Sequence, residues 1–216
     1  EAAHREGKQV WALFSNNFDP EMTARFLGNP EARDRAIRQL MVLARLYHLD
    51  GINIDFENIP PENKELLVQF VRELAPLLRE QGLTVSVDVT FKSNSGNWSL
   101  IYDRKALGEA VDYVAVMAYD EHWASSPVPG SVASLPWVEK GLQALLEEVP
   151  SEKILLGVPL YARLWTVAEN PDGPAVTSRA WSMGQTRRWL RENRLEPVFD
   201  PATGQHFAEL QEEGRR

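Results

Sequence analysis

Asp50-Gly51-Ile52-Asn53-Ile54-Asp55-Phe56-Glu57 reads as a buried strand that is polar at every second residue. Successive side chains of a strand point to opposite faces. Asn53, Asp55 and Glu57 therefore line one face, and Ile52, Ile54 and Phe56 line the other. A row of polar groups on a covered face is costly unless something uses it. Two carboxyls two residues apart, with no Lys or Arg beside them, push one pKa upward. That is how a protein keeps a carboxylic acid protonated near neutral pH.

Working outward, short apolar runs recur at residues 9–15, 84–90, 112–119 and 154–161. Each is rich in Val, Ile, Leu or aromatic residues, as expected for parallel strands covered on both faces. Helical patterns lie between them. In 33–48 the apolar set Ile37, Leu40, Met41, Ala44 and Tyr47 has helix spacing, and in 62–81 so does the set Leu66, Leu67, Phe70, Val71, Leu74, Leu77 and Leu78. Pro60 and Pro61 suit the start of the second helix, Gly82 suits its end, and Pro76 is expected to kink or locally loosen it. Further helices are expected from near Asp103 to before Asp112, and over 135–148. A repeated strand–helix order means a parallel α/β sheet or barrel. After Trp165 the texture changes. A loop is expected over 169–174, a helix over 181–193 and a small hairpin over 197–207. The charged tail over 212–216 reads as solvated.

The chain has 216 residues, enough for one sizeable core, and a net charge of −8 that argues against nucleic acid or an anionic membrane as partner. No apolar run is long enough to span a bilayer. No signal peptide opens the chain, since Glu1-Ala2-Ala3-His4-Arg5-Glu6 is polar, although a processed protein would look the same. Cysteine is absent, which removes disulfides and thiolate chemistry. His4, His48, His122 and His206 show no metal-ligand spacing, and no glycine loop cradles phosphate.

In parallel α/β folds, working residues sit at the carboxyl ends of strands. Glu57 closes its strand, Tyr119 and Asp120 close another, and Tyr161 and Arg163 close a third. Acids, tyrosines and tryptophans gathered on one rim suit cleavage of a sugar linkage. The bland alternatives are a solvated strand end for the acids, a strand-capping Tyr119, and an Arg163 that only pairs with a nearby carboxylate. Trp98, Trp123 and Trp165 are candidate sugar platforms, whereas Trp137, Trp181 and Trp189 sit in helical patterns.

With these residues in view, the stretch 50–57 resembles the Asp-x-x-Asp-x-Asp-x-Glu signature of glycoside hydrolase family 18, the chitinase-like (β/α)8 enzymes. Met117-Ala118-Tyr119-Asp120 resembles that family's sixth-strand motif, and residues 157–165 resemble its seventh. The wording is similar to the bacterial spore-germination and cortex-lytic branch, in which the glutamate strand reads Asn-x-Asp-Phe-Glu and the sixth strand continues as Tyr-Asp-Glu-His-Trp, here residues 119–123. The resemblance implies a retaining reaction without an enzyme nucleophile, an exception to the two-carboxylate scheme. In it, Glu57 is the general acid and then base, Asp55 steadies the acetamido group, and Tyr119 orients its oxygen for attack on the anomeric carbon. Asn53, Asp120, His122, Trp123, Tyr161, Arg163 and Trp165 are the implied substrate-binding residues. The implied partner is an N-acetylated polysaccharide or oligosaccharide, chitin-like or peptidoglycan. No metal or cofactor is implied, and the setting is extracellular, in the cell envelope or on a spore.

Two departures stand out. Asn53 occupies the place of the middle aspartate, and an amide cannot share a proton with Asp55, so Asp55 is expected to ionise more readily. The strand count is also short. A (β/α)8 TIM-type barrel with about five of its eight strands is expected over 1–168, followed by a small α+β insertion over 169–216. Such a barrel has open sheet edges through which it can associate. Rival readings are a catalytically silent carbohydrate-binding barrel, and a (β/α)8 hydrolase that uses two protein carboxylates directly.

Overall fold

Five apolar runs pair as one sheet in chain order: β1 (Trp11–Ser15), β2 (Gly51–Asp55), β3 (Thr84–Thr90), β4 (Tyr113–Met117) and β5 (Ile154–Gly157), with β1 to β4 running parallel. The computed structural model describes residues 2–168, 171 and 173–211. The loop expected over 169–174 lies partly outside them, and the tail over 212–216 wholly outside them. The chain divides into two compact units. The first comprises Glu1–Met117 and Gln143–Leu156, the second Ala118–Leu142 and Gly157–Arg216.

In the first unit the alternation foreseen for 50–57 holds across β2, β3 and β4. Ile52, Ile54, Val85, Val87, Val89, Val114 and Val116 are all buried on the face away from the acids. Their cover includes α4 (Lys64–Arg79), which brings Leu67, Phe70, Val71, Leu74 and Leu78 into the core. The helix starts after a 3-10 turn at Pro61–Asn63 and runs on through Pro76 without ending. Phe14, Phe26, Phe56 and Phe70 meet with ring centroids 5.2–6.5 Å apart, tying β1, α2 (Pro20–Leu27), the end of β2 and α4 together. The pattern over 33–48 becomes α3 (Pro30–Leu46), and the one after Asp103 becomes α5 (Arg104–Ala110). A short α1 (Ala2–Arg5) opens the chain.

The sequence reading has no counterpart for α2. Its signals are nonetheless present: Asp19 caps α2 by accepting from the Met22 N–H, Asn29 caps α3 by accepting from the Ala32 N–H, and each is followed by Pro at the first helical position. Gly51 is required by close approach. A Cβ there would lie 2.6 Å from the Thr84 carbonyl and 2.8 Å from the Trp11 ring. That ring stacks on Tyr113 at 5.6 Å.

The second unit contains an antiparallel ribbon, β6 (Tyr161–Ala168) with β7 (Ala175–Ser182), followed by α7 (Met183–Glu192) and the hairpin β8 (Val198–Asp200) with β9 (Gln205–Phe207). The hairpin and α7 match expectation. α6 (Leu135–Leu146) begins in this unit. Two placements are corrected. Tyr161 and Arg163 do not close a parallel strand: β5 ends at Gly157, and after Pro159, which has no N–H to give a ladder, the chain re-forms as a ribbon. Trp181 lies on β7 rather than on a helix, with its ring 5.9 Å from that of Trp189.

Candidate active site

Asp50 is structural. Its carboxylate accepts from the Val10 N–H at 2.6 Å and meets the His4 ring at 2.8 Å, pinning the start of β2 beside β1. Those two contacts, the backbone one first, hold its pKa low.

Asn53 and Asp55 point from β2 to the face opposite the apolar core, and Glu57 follows two residues beyond the strand end. The backbone of Glu57 is fixed by Asn16, a buried residue just past β1. The Asn16 amide donates to the Glu57 carbonyl at 2.6 Å and accepts from the Glu57 N–H at 3.0 Å. The same Nδ2 donates to Thr23 Oγ1 at 2.9 Å. The preceding carbonyl, of Phe56, accepts from the buried Tyr102 hydroxyl at 3.0 Å. The general-acid candidate thus hangs from a backbone held on both sides.

Asp55 and Glu57 hydrogen-bond through their side chains. A bond between two carboxyls requires a proton on one of them. Burial pushes the Asp55 carboxyl up, and the Glu57 hydrogen bond opposes that shift. Asp55 Oδ1 is buried with no hydrogen-bond partner among the described residues. The sequence reading expected Asn53 to leave Asp55 readily ionised; burial outweighs that effect. Asn53 itself bridges to β3. Its Nδ2 donates to Asp88 at 2.8 Å, and its Oδ1 accepts from the Ser86 hydroxyl at 2.5 Å. Asp88 is pushed up to about 6, by burial first and also by the Asp55 charge, against the Asn53 bond.

Asn16, Ser86 and Asp88 were missed by sequence reasoning. The signal for the last two was the strict alternation of Thr84-Val85-Ser86-Val87-Asp88-Val89-Thr90, which repeats the pattern of β2. Phe18 was missed too. It is half exposed, with its ring 6.1 Å from the exposed Trp98 ring, and its carbonyl accepts from Asn58 Nδ2 at 2.9 Å.

In the second unit Asp120 organises a separate group. Its backbone is left-handed, φ 59°, a conformation Asp tolerates. Its carboxylate accepts from the Tyr161 hydroxyl at 2.6 Å and from Arg163 Nη2 at 2.7 Å. The Arg163 side chain is only 5 % exposed, whereas its partner Asp120 is 44 % exposed, so the pair is buried on the arginine side only. Arg163 also donates to Ser178 Oγ at 3.2 Å and lies over the Trp165 ring at 5.8 Å. Burial, then the Asp120 contact, pushes the Tyr161 hydroxyl up, so it stays a donor. The Tyr119 ring meets Tyr161 edge-on at 6.4 Å. His122 lies flat against Gly130, where a Cβ would come within 2.4 Å of the imidazole, and Trp165 Nε1 donates to the Gly130 carbonyl at 3.0 Å. Trp123 is exposed, with its indole N–H on Ser125 at 3.1 Å. The acids therefore gather in one unit, and Tyr119, Asp120, Tyr161, Arg163 and Trp165 in the other. Among the described residues no group of three or more His, Cys, Asp or Glu is arranged to hold a metal ion.

A strand–helix sheet of five strands with paired acids at the end of the second is a partial (β/α) barrel of the glycosidase type. The chain belongs to glycosyl hydrolases family 18, whose profile matches residues 10–213. It is 32% identical over 213 residues to YvbX of Bacillus subtilis, an uncharacterized glycosylase, covering 94% of this chain and 60% of that protein. It is 29% identical over 208 residues to the cortical fragment-lytic enzyme of Bacillus subtilis, covering 94% of this chain and 48% of that enzyme. The crystal structure of YdhD from the same organism superposes with a TM-score of 0.89 at 26% identity, covering 100% of this chain and 72% of that one. The chain thus spans about half to 60% of the length of these two sequence relatives.

Proposed function

We propose that the chain carries the acid-bearing part of a glycoside hydrolase that cleaves β-1,4 linkages next to N-acetylglucosamine by a retaining, substrate-assisted route. The observation that carries this reading is the Asp55–Glu57 side-chain hydrogen bond, with Asp55 held up by burial. Glu57 gives its proton to the departing glycosidic oxygen. As that C–O bond breaks, the substrate's acetamido oxygen bonds to the anomeric carbon, and Asp55 takes up the acetamido N–H and steadies the positive charge. Water then attacks the same carbon as its bond to the acetamido oxygen breaks, and Glu57 takes the proton that the water loses. Tyr119 orients the acetamido group. Asp120, Tyr161 and Arg163, with Asn53, His122, Trp123 and Trp165, are assigned to substrate binding.

The name of the cortical fragment-lytic relative favours peptidoglycan as the glycan, and with it an envelope or spore setting. Among the described residues no helix is long and apolar enough to cross a membrane. The open edge of β1, where Leu13 is 63% exposed, favours a second reading: a sugar-binding barrel without turnover. Rates on N-acetylated and de-N-acetylated glycan oligomers test the proposal. Cleavage should be confined to the N-acetylated series. Equal rates would rule out help from the acetamido group, and binding without cleavage would favour the silent barrel.

A further inference from the structure

We propose that Asp88 is a positioning residue for the Asp55–Glu57 pair, acting from the neighbouring strand across the Asn53 amide to set the charge state of the pair. This deepens the proposed function, on which its catalytic consequence rests.

The geometry is a line of three side chains on one face of two adjacent parallel strands. Asn53 and Ser86 stand side by side in the β2–β3 ladder. The Ser86 hydroxyl, fully buried, donates to Asn53 Oδ1, so the amide is oriented with its Nδ2 outward. That nitrogen donates to Asp88 Oδ2. An amide oriented from one side is a one-way link: it can give a hydrogen bond to a carboxylate and cannot take that carboxylate's charge. Asp88 therefore keeps its charge to itself while remaining tied to the strand that bears Asp55.

The groups facing Asp88 leave that charge poorly balanced. From β2 come Asp55 and, beyond the strand end, Glu57, both acids. From β4 the residue in register is Ala115, flanked by Tyr113, whose ring is stacked on Trp11, and by Met117. From the segment before α5 comes Tyr102, whose proton is held by burial and by the fields of Glu57, Asp55 and Asp88. Arg104 is the nearby cation, and its guanidinium is spent on the Thr90, Tyr102 and Ser99 carbonyls and the Ser99 hydroxyl. Three carboxyls thus share a half-buried face, and among the described residues no Arg or Lys hydrogen-bonds to Asp55 or Asp88. The Asp55 charge is one of the causes that hold the Asp88 proton, and the coupling between the two carboxyls is mutual. Once ionised, Asp88 raises the proton affinity of the pair in return and adds negative potential where a positive intermediate forms.

The test is carboxyl titration by 13C NMR on the chain labelled at Asp and Glu, for the native sequence and Asp88→Asn. Asparagine keeps an acceptor for the Asn53 amide and removes only the charge. The native chain should show a carboxyl with a midpoint near 6. In the variant that signal disappears, and the Asp55 and Glu57 midpoints move down by about half a unit or more. The falling alkaline limb of glycan cleavage should move down with them. Unchanged Asp55 and Glu57 midpoints in the variant would overturn the proposal. Should the variant fail to fold, the native chain still decides. The Asn53 side-chain 15N resonance must shift with the Asp88 midpoint, and a flat response refutes the link. Absence of cleavage in the native chain would count against the glycosidase reading alone, with the titration still deciding the role of Asp88.

Discussion

Glu57 owes its position to atoms other than its own side chain. Asn16 grips its peptide from both sides, and Tyr102 holds the peptide before it. This division of labour is common in working sites, where a reacting group is held by partners that never touch substrate. Asp88 shows the cost of such an arrangement. Its folded pKa, about 6, lies above its ordinary value of 3.8, so the folded state holds the proton more tightly than the unfolded chain does. The stability from that proton is complete below the ordinary value and is lost as pH rises through the folded value. Asp88→Asn should therefore melt at the same temperature as the native chain near pH 4 and about 6–12 °C higher near pH 7, seen by thermal unfolding across that range. Equal or lower melting at pH 7 would contradict the burial of this carboxyl.

Among the elements, legibility followed the apolar period. β2 and β3 were readable because Ile or Val alternates with polar residues over five residues or more, and α4 because its apolar set fills a helical stripe. The acids of β2 could be assigned to one face from spacing alone, and their common face is what the structure shows. α2 was not readable, because eight residues carry too few apolar positions to fix a period, and its caps had to be noticed instead. The ribbon of β6 and β7 was hidden because Tyr161, Arg163 and Trp165 follow an apolar run without a charge, so β5 looked longer than it is. Asp88 was hidden for a different reason: a lone acid in a strand has no partner in the sequence, and its partner Asn53 is thirty-five residues away. At this scale the packing of α4 is the test of the core. Phe70 is fully buried within the four-phenylalanine cluster. Phe70→Ala should cost about 3–5 kcal/mol in urea unfolding. A cost under about 1 kcal/mol would mean that the cluster is not what holds α4 to β1 and β2.

For the molecule as a whole, family membership and strand count pull on the same point. Among the described residues β1 is an edge strand, with Leu13 exposed in line with Asn53. Open edges template further pairing. Sedimentation velocity should therefore show association that grows with concentration, and Leu13→Lys should reduce it. A chain that stays monomeric at every concentration would remove edge pairing from the account. The central claim is chemical, and Glu57→Gln tests it most directly, in a turnover and binding assay on an N-acetylated glycan oligomer. Loss of turnover by about 10³-fold or more, with affinity for the oligomer retained, is the predicted result. Turnover near that of the native chain would show that another group supplies the proton.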